Sequence, residues 1–203
     1  MGERYWEEFY LSVPEIKTDM WLEKYKFLIK ARTHVLDLGC GNGTNEKYLE
    51  KIGIFPEACD ISNNAIKMVN KSYPMCKTKV VDMSKNLPYE DEKFEIIIAD
   101  LSLHYFDSKT TIKISKELKR VLTNRGFVIG RVNSKRDIQE DEPYEEIEEN
   151  YYNENGCFRR YFSRESIARY FEEFDVLVNR ETATSKYGQR KHVIEFLLQK
   201  VNY

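Results

Sequence analysis

Apolar residues along this chain keep two rhythms that alternate. Between residues 15 and 30 they fall at Ile16, Met20, Trp21, Tyr25, Leu28 and Ile29, one face of a helix. HVLDL (34–38) is instead a short β-rich run that stops at a cluster of glycines. A helix is predicted over 44–51, a strand over 55–60 with Pro56 weakening its start, and a helix from Ser62, a suitable N-cap, through Asn70. A strand over 78–82, a turn through SKNLPYEDEK and the strand FEIIIAD (94–100) follow. The near-continuous apolar run of FEIIIAD suits a strand buried on both faces.

The same alternation continues with a helix over 108–122, a turn at TNRG and the strand FVIGRV (127–132). Residues 135–149 break it: eight acidic residues stand between Asp137 and Glu149, few apolar ones accompany them, and an exposed insertion is expected. A helix over 163–173 with Ser163 as N-cap comes next, then two strands, 175–182 and 191–200, joined as a hairpin. Strands alternating with helices predict an α/β fold of the Rossmann-like, doubly wound kind. Its sheet would be mostly parallel, with helices on both faces and a C-terminal antiparallel hairpin. At 203 residues, one domain is expected, with 1–33 as an N-terminal helical cap, 34–132 as the core, 133–162 as the acidic insertion and substrate side, and 163–203 as the closing helix and hairpin.

Composition narrows the function classes. The chain is 41% hydrophobic and 33% charged with a net charge of -2, so it lacks the basic footprint of a nucleic-acid binder. Four cysteines, at 40, 59, 76 and 157, form no C-x-x-C pair, only three histidines are present, and no metal site is expected. The first residues, MGERYWEEFY, have neither a basic nor an apolar leader region, and no apolar run approaches a membrane span. A cytoplasmic protein is the expectation.

The chemistry concentrates where HVLDL meets G39-C-G41-N-G43. Glycines there let the backbone turn tightly and approach a ligand. The dinucleotide fingerprint needs a glycine at position 44, and this chain has Thr44. Each of the first four strands also ends in an aspartate: Asp37, Asp60, Asp82 and Asp100. Carboxylates at the carboxyl ends of parallel strands repel a pyrophosphate and attract a ligand with hydroxyls, an ammonium and a positive charge. S-adenosylmethionine has all three. VLDLGCGNG, ACDIS, VVDMSKNLPYEDEKFEIIIADLSLHYF and ELKRVLTNRGFVI, in that order, resemble the successive motifs of class I S-adenosylmethionine-dependent methyltransferases.

That resemblance covers about residues 34–132 and implies a seven-stranded sheet whose last strand is antiparallel. It also implies roles. Gly39, Gly41 and Asn42 would pass under the methionine part of the cofactor, and Asp37 would hold its amino group. Asp60 would accept the ribose hydroxyls, with Ile61 against the adenine. Asp82 and the Met83 backbone would meet the adenine edge, and the backbone at Ala99 and Asp100, with Leu101, the sulfonium end. Read singly, Asp60 is also compatible with a helix start and Asp82 with a turn cap.

The acceptor is expected to be a small molecule, methylated by in-line displacement with S-adenosylhomocysteine as product. His104 in LSLHYF is the candidate base, or else a shaper of the pocket. Tyr5, Tyr10 and Tyr105 are candidate walls, and Arg159 and Arg160 either clamp an anionic substrate or pair with the acidic insertion. Two other classes remain open: a module that binds the cofactor without catalysis, and a methyltransferase acting on protein or RNA.

Overall fold

A computed structural model describes residues 2–12, 20–138, 144–186 and 188–201. Helix α1 (Glu3–Ser12) comes first. A 3-10 turn (Trp21–Tyr25) then runs into the short helix α2 (Lys26–Lys30). The helix expected over 15–30 is therefore seen only from Trp21 onward, and 15–19 lie outside the described residues. The core units follow in the expected order: β1 (Val35–Leu38), α3 (Thr44–Lys51), β2 (Glu57–Asp60), α4 (Asn63–Ser72), β3 (Lys77–Val80), β4 (Phe94–Asp100), α5 (Ser108–Val121) and β5 (Leu122–Asn133). The chain then forms β6 (Glu145–Glu148), β7 (Tyr151–Glu154), β8 (Cys157–Arg160), α6 (Arg164–Tyr170), β9 (Phe174–Thr184) and β10 (Lys191–Lys200).

Local chemistry sets several of these boundaries. β2 starts immediately after Pro56, which has no N–H to give a ladder. Ser62 caps α4 by accepting from the Ala65 N–H, and Asp107 caps α5 by accepting from the Thr110 N–H. At α6 Ser163 and Ser166 cap reciprocally, each side chain taking the other's backbone N–H.

The main sheet has the order β3-β2-β1-β4-β5-β10-β9. Its first five strands are parallel, and β10 runs antiparallel to both β5 and β9. Alternate residues of β4 serve opposite faces. Ile97 and Ala99 pack with Ile114 and Leu118 of α5 and Ile167 of α6, while Ile96 and Ile98 pack with Trp21, Leu22 and Ile29 and with Leu49 of α3. Helices thus cover both faces, and chain order reverses between β1 and β4. The crevice beyond the carboxyl ends of those two strands is where such sheets hold ligands.

Two expectations are corrected. TNRG is no free turn: β5 begins at Leu122, and its pairing with β4 jumps from Leu122 to Phe127, so the intervening residues form a bulge with Arg125 at φ 60. The acidic stretch after 133 is folded in part, because β6, β7 and β8 make a separate three-stranded antiparallel sheet. Glu145, Glu146 and Ile147 of β6 remain exposed, whereas Tyr151 and Cys157 are buried.

Candidate active site

Two loops interlock at the switch point. The N–H groups of Gly39 and Cys40 donate to the Cys59 carbonyl at 2.8 and 3.0 Å, tying the loop after β1 to the end of β2. The loop after β4 presses on it from the other side. A Cβ on Gly39, which has φ +83, would lie 2.4 Å from the Ser102 Cβ, and the Ser102 hydroxyl is itself fixed by donating to the Leu38 carbonyl at 2.7 Å. Leu101 pays for this closeness with a left-handed backbone, φ 58, held by its N–H on the Arg131 carbonyl. A leucine in that region costs about 1–2 kcal/mol, and such residues gather at functional sites.

A cavity of about 680 Å³ opens over these loops. Gly39, Gly41, Asn42, Asp60 and Ile61 line it, as do Asp82, Met83 and Leu101. Tyr5, Tyr10, Tyr105 and Arg159 line it as well. Asp37, Ala99, His104 and Arg160 do not. Asn45, which the sequence motifs did not single out, does.

The four strand-end aspartates have different fates. Asp60 is 7% exposed and accepts from the Gly41 N–H at 3.0 Å on one oxygen and from the Ser62 N–H at 2.9 Å on the other. Burial raises its pKa, those backbone donors oppose the rise, and nearby Glu7 adds to it. A carboxylate has about four acceptor sites, so Asp60, which lines the cavity, retains capacity for a ligand. Asp82 is half-buried and turned onto its own loop, accepting from the Ser84 N–H and hydroxyl and pairing with Lys85 at 3.3 Å. Asp100 is not an open ligand group at all: Arg131 grips it with two nitrogens, at 2.7 and 3.0 Å, and Lys186 adds a bond at 2.8 Å. Of the four strand-end carboxylates expected from sequence, Asp60, Asp82 and Asp100 line the cavity, with the charge of Asp100 balanced by Arg131 and Lys186.

Asp37, the fourth, is wholly buried behind Asn45, whose amide donates to both its oxygens at 3.2 and 3.1 Å. Trp21 orients that amide by donating to its oxygen at 3.1 Å. Glu46 is equally buried, and its oxygens meet no donor among the described residues. Burial pushes Asp37 up to about 6 and Glu46 well above the usual range, with Asp37 raising Glu46 further. One proton shared by the two carboxyls satisfies this arrangement. Acids whose pKa rises on folding contribute stability below their unfolded values and lose it as pH climbs through the folded ones. Glu46→Gln, which keeps a donor for Asp37 at every pH, should gain stability over the wild type between pH 5 and pH 8. Urea midpoints at both pH values check this, and an unchanged difference would refute it.

His104 is corrected too. It is 2% exposed, its Nδ1 meets no partner among the described residues, and its ring lies tilted at 43° against Tyr105 with 4.3 Å between centroids. Burial, then the charges of Arg159 and Lys191, drive its pKa well down. Arg160 is 1% exposed and spent on the insertion and its surroundings: Glu148, the Glu149 and Phe106 carbonyls and the Tyr170 hydroxyl. Arg159 pairs with Glu154 yet still reaches the cavity.

Comparison with known proteins decides the family. The profile described as "Methyltransferase domain" matches residues 36–130, which run from β1 through most of β5 and carry both interlocked loops. Residues 36–130 thus carry a methyltransferase domain, of the class I S-adenosylmethionine-dependent kind. The chain is 32% identical over 97 residues to human "Arginine-hydroxylase NDUFAF5, mitochondrial", covering 47% of this chain and 27% of that protein. It is 29% identical over 116 residues to human "Probable tRNA methyltransferase 9B", covering 55% of this chain and 24% of that protein. The chain thus spans about a quarter of the length of these curated relatives. Among solved structures, the PH0226 protein of Pyrococcus horikoshii OT3 shares the fold with a TM-score of 0.72 at 22% identity, covering 95% of this chain and 98% of that one.

The residues of this methyltransferase fit its cofactor. Gly39 and Gly41 line the cavity with bare backbone, where a Cβ would collide with Ser102 or Tyr10, and Asp60 offers a carboxylate suited to a diol. Asp60 and Asp82 add acidic groups to the cavity lining, in keeping with a ligand of positive charge.

Proposed function

We propose that this chain transfers the methyl group of S-adenosylmethionine to a small-molecule acceptor. The observation that carries the reading is the roof of the cavity. Glu7 of α1 accepts from the N–H groups of Asn63 and Asn64 at 2.6 and 3.1 Å, so it caps α4 beside Asp60. Tyr10 closes on the glycine loop, where a Cβ at Gly41 would lie 2.6 Å from its hydroxyl. Trp6 meets Tyr105 edge-on at 5.0 Å. A roof this near the reacting centre suits a small acceptor and would have to lift for a folded macromolecule.

When bound, the cofactor supplies an electrophilic methyl group on a sulfonium leaving group. The chain's own residues bind and align. In this reading Asp60 takes the ribose hydroxyls, and Ile61 and Met83 flank the adenine with Asp82 at its edge. Gly39, Gly41 and Asn42 run under the methionine part, with Asn45 holding its place on Asp37. Leu101 sets the methyl end, and Ala99 supports it from within β4. His104, neutral and out of the cavity, holds Tyr105 in place rather than taking a proton.

The names of the curated relatives favour a second reading, an acceptor that is tRNA or protein. Turnover separates the two. Production of S-adenosylhomocysteine would be followed with a pool of small metabolites, with bulk tRNA and with a protein extract, after calorimetric titration of the cofactor against NAD as control. Turnover with the small pool alone is expected. Turnover with tRNA or protein alone would move the acceptor to a macromolecule, and none with any pool would leave a cofactor-binding module. A cytoplasmic location belongs to the same proposal, supported by four unpaired, buried cysteines. No helix among the described residues is long and apolar enough to cross a membrane.

A further inference from the structure

Four cations line the cavity: Lys85, Arg159, Lys186 and Lys191. Three have carboxylate partners. Lys85 pairs with Asp82 at 3.3 Å, Lys186 with Asp100 at 2.8 Å, and Arg159 with Glu154. Lys191, at the start of β10, has no ion pair or hydrogen bond from its side chain among the described residues. It is half-buried, and burial and then the neighbouring Arg159 push its pKa down.

Acidic groups near it are already engaged. Glu154 accepts from Arg159 and from the Tyr161 hydroxyl at 2.5 Å, and Asp137 accepts from the His192 N–H at 2.8 Å and meets its ring Nδ1 at 2.8 Å. Lys191 therefore has no carboxylate in direct contact among the described residues, at a wall partly withdrawn from water; Arg159 stands beside it, and Asp137 and Glu154 attract it only from farther off. An unpaired charge in that position is unfavourable until an anion arrives.

The surroundings say what kind of anion. Tyr105 lies within electrostatic reach of Arg159, its ring is backed by His104 at 4.3 Å, and Trp6 closes on it at 5.0 Å. Tyr5 is close to Arg159 and Cys157. Flat rings beside one ammonium that lacks a contacting carboxylate suit a planar body carrying a monoanion better than a compact dianion. The lining near the glycine loop has the opposite sign, through Asp60, which accepts from backbone N–H groups. Cofactor and acceptor would then be sorted to different ends by charge as well as shape.

We propose that the methyl acceptor is a small aromatic or conjugated carboxylate, its carboxylate held by Lys191 and Arg159 and its planar body against Tyr105. This rests on the small-molecule reading given above. The test uses the protein saturated with S-adenosylhomocysteine and two probes of one shape, benzoate and benzamide, followed by calorimetry. Wild type should bind benzoate in the low millimolar range or better and benzamide at least tenfold more weakly. Lys191→Gln should lose tenfold or more for benzoate, Lys191→Arg should keep most of it, and neither should change the affinity for S-adenosylhomocysteine. Equal binding of the two probes, or a Lys191→Gln variant that binds benzoate as well as wild type, overturns the proposal. So does binding of a single-stranded RNA 20-mer that Lys191→Gln abolishes, with no binding of benzoate. Failure of wild type to bind S-adenosylhomocysteine overturns the functional reading itself and this inference with it.

Discussion

Asp60→Ala should weaken binding of S-adenosylmethionine by a hundredfold or more while leaving the protein folded. In wild type the two oxygens of Asp60 are aimed by the backbone N–H groups of Gly41 and Ser62, at 3.0 and 2.9 Å, so the carboxylate is set before any ligand arrives. Two charge-assisted bonds to a ribose diol, at about 1.5–3 kcal/mol each, correspond to roughly a hundredfold or more in affinity. The variant would also release one tie on the glycine loop. That loop keeps its bonds from Gly39 and Cys40 to the Cys59 carbonyl, so the loss of melting temperature should be modest. Asp60→Asn is the sharper probe, since an amide cannot accept from both Gly41 and Ser62 on separate oxygens. Calorimetry with S-adenosylhomocysteine and a thermal melt decide it: affinity within threefold of wild type in a folded variant would place the ribose elsewhere. The raised pKa of Asp60 adds a pH signature, with affinity falling as pH drops and the carboxylate takes up a proton.

The parts of this molecule that sequence made legible are those set by neighbours in the chain. The apolar run of β4, the caps Ser62 and Ser163 and the glycine loop after β1 all follow from local rules, and they appear where expected. What sequence concealed depends on partners far along the chain. Asp100 looks like one more strand-end aspartate until Lys186, 86 residues later, is brought onto it. Arg160 looks available until it is found enclosed by Glu148, Phe106 and Tyr170. The acidic stretch looked solvated because its pairing partners, Arg160 on β8 and Arg169 on α6, lie farther along the chain. Glu7 carries no sequence signal for its capping of α4, which lies 55–57 residues away and is reached only in three dimensions. Asn45 could have been suspected: a polar residue on the inward side of α3, directly after a glycine loop, has to answer a buried group, and here that group is Asp37.

Asp100→Asn should destabilise the protein far more than Lys186→Met, although both break the same ion pair. Asp100 stands at the centre of a buried cluster: its side chain is 1% exposed, that of Arg131 3% and that of Lys186 7%. Arg131 also lies over the Trp21 ring at 4.4 Å, which fixes it to the opposite side of the sheet from α5. Removing the carboxylate takes from two buried cations the anion they share, and breaking such a buried pair typically costs about 3–5 kcal/mol and roughly 10 °C of melting temperature in a protein of this size. Removing Lys186 is milder, because Asp100 keeps its two-nitrogen grip from Arg131 and methionine retains the apolar stem. The pH dependence has a definite sign. Lys186 and Arg131 outweigh burial and hold Asp100 well below the ordinary carboxylate range. Its stabilising contribution is complete above the unfolded value near 3.9 and fades as pH falls below it toward the folded value. The wild type should therefore lose stability on acidification below about pH 4 more steeply than Asp100→Asn does. Urea unfolding of both variants at pH 7, and of wild type and Asp100→Asn between pH 5 and 3, measures these differences. Equal costs for the two substitutions would mean that the cluster is held by packing rather than by charge. Lys186 also lines the cavity, so the cluster ties the β9–β10 connection to the strand end proposed to set the methyl group. Asp100→Asn should accordingly raise the KM for the acceptor as well as lower stability, whereas a cluster with a purely structural role would leave KM unchanged in the folded fraction.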